Sequence, residues 1–256
     1  MPQAGCPARL FNRVFIRYTR SLAGLNLYPD FEMIEPFDYK KMAEDLYNDL
    51  QRVQLKNTPN LRRIRQNYSK KLSRAAPEQI LDFVRYFTDH YTYHWVVFEI
   101  IHCHPTAIQK IGVNELEAFG KELNNWGAVD VFAGYLAGPA WRNGQVPDEL
   151  IINWADSPDY WRRRAALVCT VPLNRRSAGG KGDIPRTLKI CRKLAADKNE
   201  MVIKALSWAL RELIAHDPES VRKFISEHEV VLASRVKREV KNKLTTGLKN
   251  PKKWVG

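Results

Sequence analysis

Three short patches hold residue types that do chemistry together. Trp126 and Asp130 stand four apart in Asn-Asn-Trp-Gly-Ala-Val-Asp, Arg164 closes Tyr-Trp-Arg-Arg-Arg, and Lys204, Trp208 and Arg211 follow at spacings of four and three. On helices, those spacings gather side chains on one face. A carboxylate beside an indole is partly desolvated, which strengthens its field on a nearby cation. The planar fork of an arginine donates two parallel bonds to a phosphate. An indole between two cations can stack on a sugar while its neighbours neutralise phosphates. If the three patches share one surface, they form a cationic groove with two indoles and one carboxylate. Such a groove suits a polyanion whose reacting centre becomes positive in the transition state.

Each patch also has a plainer reading. Trp126 could be a core tryptophan and Asp130 a residue near a helix end, with Asn124 or Asn125 as the cap. Trp208 could fill a gap to the next helix between solvated cations. Arg162, Arg163 and Arg164 cannot all point one way, so one is expected at the groove and the others at solvent or an acidic partner. Residues 174–183, with Arg175 and Arg176, read as a flexible basic loop able to touch phosphates. Its Gly-Lys pair lacks the spacing and the Ser or Thr of a phosphate-binding loop. His90, His94, His102 and His104, with Cys103, invite a metal reading, but so aromatic a segment points to core or boundary histidines instead. No metal site is expected, and no nucleophile–histidine constellation is legible.

The elements that must position these residues are helical. Residues 38–54 place Met42, Leu46, Leu50 and Val53 on one face, and residues 60–74 form a basic helix. Pro77 suits the first turn of a helix over 77–87, residues 91–103 read as a buried helix, and Asn114 with Glu117 as a helix start. Further helices are expected near 126–138, 147–155, 159–171, 184–196, 200–215, 217–228 and 234–246. In the helix over 200–215, Leu206, Leu210 and Leu213 form the core stripe. Thr58-Pro59, His104-Pro105, Gly138-Pro139, Ser157-Pro158 and Asp217-Pro218 mark joints. Strand alternation is hard to find. The rhythm of paired helices predicts an all-α solenoid, with no literal repeat in the sequence. The expected organisation is an N-terminal extension over 1–36 (a helix plus a loop), a repeat domain over 37–246, and a basic tail over 247–256.

The 256 residues carry 41 Lys and Arg against 28 Asp and Glu, a net charge of +13, which favours a polyanion. The run Arg235, Lys237, Arg238, Lys241, Lys243, Lys249, Lys252, Lys253 is the densest part of it. No apolar run has the roughly 20 residues of a membrane span, and the N-terminus lacks signal-peptide regions. Cys6, Cys103, Cys169 and Cys191 show no paired spacing, which fits thiols in a reducing cytoplasm.

In their order and spacing the three patches resemble the DNA alkylation repair enzymes of the AlkD type, and Thr58-Pro59-Asn-Leu-Arg62-Arg63 resembles a further segment of that family. The similarity runs from about residue 38 to about 245. It implies HEAT-like helical repeats around a concave basic groove and the activity of an alkylpurine DNA glycosylase. It implies Asp130 as the catalytic carboxylate, Trp126 and Trp208 against the deoxyribose of the damaged nucleotide, and Arg164 on a backbone phosphate. It also implies a base that need not be flipped into a pocket. Arg163, Lys204, Arg211, Arg175 and Arg176 are further candidates for DNA contact. The chain departs from the family at Gly127, Ala128 and Asn125, and at Gln54-Leu-Lys-Asn57.

The chemistry fits one carboxylate. An N3- or N7-alkylated purine is already cationic and leaves as a neutral base, so no general acid is needed. What remains is to stabilise positive charge on the sugar and to place a water. The expected partner is duplex DNA carrying 3-methyladenine or 7-methylguanine, with no cofactor, in the cytoplasm, and the protein acting as a monomer. The alternatives are a DNA-binding repeat protein without catalysis, or a scaffold whose concave face binds an acidic protein.

Overall fold

The computed structural model describes residues 37–251. The expected N-terminal helix, Cys6, Lys252 and Lys253 lie outside the described residues. Helices α1 (Tyr39–Arg52), α2 (Thr58–Lys71), α3 (Pro77–His90), α4 (His94–Cys103) and α5 (Val113–Phe119) come first. Then α6 (Trp126–Val131) runs through a π-helical stretch, Phe132–Ala137, into α7 (Gly138–Arg142). After them come α8 (Asp148–Ala155), α9 (Tyr160–Cys169), α10 (Val171–Asn174), α11 (Ile184–Lys193), α12 (Glu200–Leu213), α13 (Pro218–Glu227) and α14 (Ser234–Thr246). Among the described residues there is no strand, and no helix is long and apolar enough to cross a membrane.

The helices stack in two layers. In one, α2, α4, α6, α9, α12 and α14 each pack on the next. In the other, α1 packs on α3, α3 on α5, and α8 on α11. Apolar stripes join the layers, as in α12, where Leu206, Leu210 and Leu213 are buried. The expected helical repeat is present, and its period can be measured from contacts. Hydrogen bonds join residues 37 apart again and again: Arg62 to Glu99, Gln145 to Ile108, Trp154 to Glu117, Lys193 to Asp156, Arg164 to Met201 and Arg175 to Glu212. Equivalent positions of neighbouring repeats touch when similar units stack. The sequences at those positions differ, which is why no repeat is visible in the chain.

Neighbouring helices of the first layer are bridged by carboxylates that burial would penalise without a cation beside them. Glu99 of α4 takes Arg62 and Arg65 of α2 at 2.6 and 3.2 Å. Asp130 of α6 takes Arg164 of α9. Glu239 of α14 accepts from Ser207 of α12 at 2.6 Å, with Arg211 3.9 Å away.

Several local expectations shift. The helix expected from 91 begins at His94, because Tyr93 takes a left-handed backbone (φ 67°, ψ 35°) that helix geometry excludes. The start expected at Asn114 lies at Gly112, whose N–H donates to Glu115 Oε2 at 3.1 Å. Thr58-Pro59 sits inside the first turn of α2, capped by Asn57, where proline loses no bond. Gly138-Pro139 does not break the chain of helices either. A side chain at 138 would run into Pro172 and lie 2.7 Å from the Cys169 carbonyl, so glycine permits close approach of α7 to α9 and α10. Pro139 has no N–H for the Tyr135 carbonyl four residues back. His102 Nδ1 donates to that carbonyl at 3.0 Å instead. At the C-terminus, Gly247 (φ 72°) ends α14, and Lys249 turns back to within 3.5 Å of Glu239.

Candidate active site

Asn125 starts α6: its side chain accepts from the Ala128 N–H at 3.0 Å. That cap is one physical reason for asparagine at this position. Trp126, the first helical residue, is left 61 % exposed. One turn on, Asp130 meets the guanidinium of Arg164 in a two-pronged pair, Nε to Oδ1 and Nη2 to Oδ2, both at 2.8 Å. The remaining prong, Nη1, donates to the Met201 carbonyl at 2.5 Å. One arginine thus ties α6, α9 and α12 together.

Arg164 is itself buried, so the phosphate contact expected of it meets a guanidinium already committed to Asp130 and the Met201 carbonyl. Burial pushes the Asp130 carboxyl above its ordinary value, and the hydrogen bonds and charge of Arg164 oppose that only in part. Each carboxylate oxygen has a second lone pair, so the pair still leaves acceptor capacity for a water or a developing cation. Among the three bridging carboxylates, Asp130 is the open one, 18 % exposed against 6 % for Glu99 and 3 % for Glu239.

The stripe on α12 divides. Lys204 stays toward solvent, 3.9 Å from Glu200. Arg211 turns to the α14 side, donating to Ser207 Oγ at 3.2 Å. Trp208 is clamped: its Nε1 donates to Glu212 at 2.9 Å, and the Arg175 guanidinium lies 5.2 Å from its ring centre. Arg175 also donates to Glu212 at 2.8 Å. Burial alone would raise the Glu212 carboxyl, yet Arg175 and the Trp208 N–H bring it below its ordinary value. Trp208 shares no hydrogen bond or ring contact with the Asp130–Arg164 pair, whose bonds go to each other and to the Met201 carbonyl. Met201 and Trp208 are seven residues apart, on one face and about 10 Å along the axis.

The other arginines have duties of their own. Arg162 reaches Glu117 at 3.2 Å and lies over Trp154. Arg163 donates to Asp197 at 2.7 Å and to the carbonyls of Ser157 and Pro158. Arg162 and Arg163 thus take the acidic partners expected as one alternative to solvent, and Arg164, expected at the groove, is paired with Asp130. The segment expected as a flexible loop is built in: Arg176 donates to the Ala215 carbonyl at 3.1 Å, Gly182 N–H to Leu173, and Arg142 Nη1 to the Pro172 and Ala178 carbonyls.

The histidines are spent on backbone groups. His90 Nδ1 and His94 Nε2 meet the carbonyls of Tyr86 and Tyr91 at 2.8 Å, and His104 Nδ1 accepts from Ala107 N–H at 3.0 Å. No group of three or more metal-ligating side chains occurs among the described residues. Cys169 and Cys191 are buried, which pushes their thiols up.

Sequence reasoning missed a cavity of about 560 Å³ lined by Thr88 to Trp95, Glu122 to Asn125, and Ala128. It includes Tyr93, whose left-handed backbone costs about 1–3 kcal/mol and tends to mark functional sites, a conformation with no signal in the sequence.

The geometry fits one comparison with known proteins. The family model described as DNA alkylation repair enzyme matches residues 56–244. The chain belongs to that family, and its role is in the repair of alkylated DNA. No curated protein and no solved structure matches the chain.

Proposed function

We propose that the protein is a DNA glycosylase that hydrolyses the N-glycosidic bond of cationic N3- and N7-alkylated purines in duplex DNA, leaving an abasic site. The observation that carries this is Asp130: a rigidly oriented carboxylate, more open than Glu99 and Glu239, the two other buried carboxylates that bridge its layer, and one turn from an exposed indole. Two side chains already positioned before substrate arrives lose little on reorganisation, which is where electrostatic catalysis gains most. Asp130 stabilises positive charge growing on the deoxyribose and orients the attacking water. Trp126 offers its face to the sugar. The alkylated base leaves neutral, so it needs neither an acid nor a deep pocket around it while the bond breaks. Lys204 and the solvent-facing cations hold the strand, and Arg164 holds Asp130. Trp208, fixed by Glu212 and Arg175, forms a second wall along α12.

The test is release of 7-methylguanine from methylated duplex DNA by purified protein. Asp130→Asn keeps a polar partner for Arg164 and removes the charge. The expected outcome is loss of at least about 100-fold in rate, on the scale of losing one preorganised electrostatic contact, with duplex affinity retained. Undiminished release by that variant would overturn the mechanism. DNA binding without release by the unaltered protein would leave a non-catalytic DNA-binding repeat protein in its place.

A further inference from the structure

The cavity beside Trp126 differs in character from the rest of this chain. In a protein with a net charge of +13, its lining contains no lysine or arginine and does contain Asp89 and Glu122. A cationic surface repeats itself where a phosphate is to be held. This site offers a phosphate nothing and suits a neutral or cationic ligand.

Its walls are aromatic: Tyr91, Tyr93, His94 and Trp95. Tyr91 is stacked on Tyr47 with ring centres 4.6 Å apart, so one wall is braced from behind. Trp95 is braced by the Arg62 guanidinium, 5.9 Å from its ring centre. Hydrogen-bonding capacity is left over at the same place. The Tyr93 hydroxyl, the Trp95 indole N–H and the Asn124 amide N–H₂ donate to no described residue. Asn125 and Ala128, on either side of the exposed Trp126, both line the cavity. A flat, uncharged or cationic molecule with hydrogen-bonding edges satisfies all of these features, and a nucleobase is such a molecule.

We infer that this cavity is a binding site for a nucleobase that has left the stack, separate from the place where the bond is broken. This rests on the reading of duplex DNA as the substrate. Two sources share the chemistry: an unpaired nucleotide of the bound DNA beside the lesion, and the free purine released by the reaction. The volume of about 560 Å³ admits either. Tyr93 stands at the start of α4 in a left-handed conformation that few residues other than glycine adopt readily, which aims the chain of a tyrosine where a helical residue could not.

Tyr93→Gly provides the test, because glycine takes φ 67° without strain while the whole phenol side chain is removed. Trp95→Ala is the second variant, and thermal melting checks that both are folded. Binding is measured for a fully paired duplex, for the same duplex carrying one unpaired adenine, and for adenine alone. A preference of about 5-fold or more for the duplex with the unpaired adenine, lost in Tyr93→Gly while affinity for the paired duplex is kept, supports the nucleotide source. Binding of adenine alone that disappears in Tyr93→Gly supports the released base. Neither preference nor adenine binding in the unaltered protein, or either one undiminished in both folded variants, overturns the proposal. Base release from methylated DNA is run on the same preparations. Its absence counts against the glycosylase reading, whereas the cavity stands or falls on binding alone.

Discussion

At the scale of single residues, the site is a negotiation between burial and pairing. Asp130 needs its charge for the proposed chemistry, burial opposes that charge, and Arg164 restores part of it. The sign follows directly. The folded carboxyl sits above its ordinary value of 3.8, so acidification protonates Asp130 before it would protonate a free aspartate. Single-turnover release of 7-methylguanine is expected to fall on the acid side with an inflection above 3.8. Arg164→Gln should move that inflection further upward and lower stability by about 3 kcal/mol, the range for stranding a buried charge. Adding Asp130→Asn to Arg164→Gln should return part of that stability, which a two-mutant melting cycle measures. That Trp126 and Asp130 share one helix was legible because four residues is a helical spacing. Arg164 as the partner of Asp130 was not. Its distance along the chain, 34 residues, has no local signature, and three consecutive arginines look alike until their helix is placed. The pairing of Arg175 with Glu212 escaped for the same reason, and so did the clamp the two put on Trp208.

At the scale of elements, most helices were legible from apolar period and capping, and the misplacements have identifiable causes. Proline was read as punctuation at 59 and 139, where it sits inside helices. In α2 the proline occupies the first turn. In the α6–α7 segment the π-helical stretch and His102 take up the altered bonding. That segment carries Asp130 at one end and the tight crossing at Gly138 near the other. Gly138→Ala is expected to cost about 1–3 kcal/mol, as overpacking does, despite alanine's better helix propensity. Because the displaced helix also bears Asp130, base release should fall along with the melting temperature. A gain in stability would show that α7 can back away from α10 without consequence.

At the scale of the whole molecule, net charge was the most accessible signal. A positive surplus predicts partners, not fold. If duplex DNA is that partner, affinity should fall about 40-fold between 50 and 200 mM salt for three neutralised phosphates. Fluorescence anisotropy with a labelled duplex measures the slope. A nearly flat dependence would favour a scaffold that recognises an acidic protein through shape. The repeat architecture was legible as a rhythm of helices and short joints, while the 37-residue period was visible only in the contacts.

That period bears on how the chain is made. Among the described residues, no side-chain hydrogen bond reaches further along the chain than the 45 residues between Arg186 and Trp141. A ribosome adds 37 residues in about 2 to 7 s. Each new helix pair therefore finds its partner surface already synthesised. Arg164 can close on Asp130 as soon as α9 is out, but its third bond must wait for Met201. The candidate site is thus assembled in two instalments, and synthesis halted between them would leave a carboxylate paired but not yet anchored.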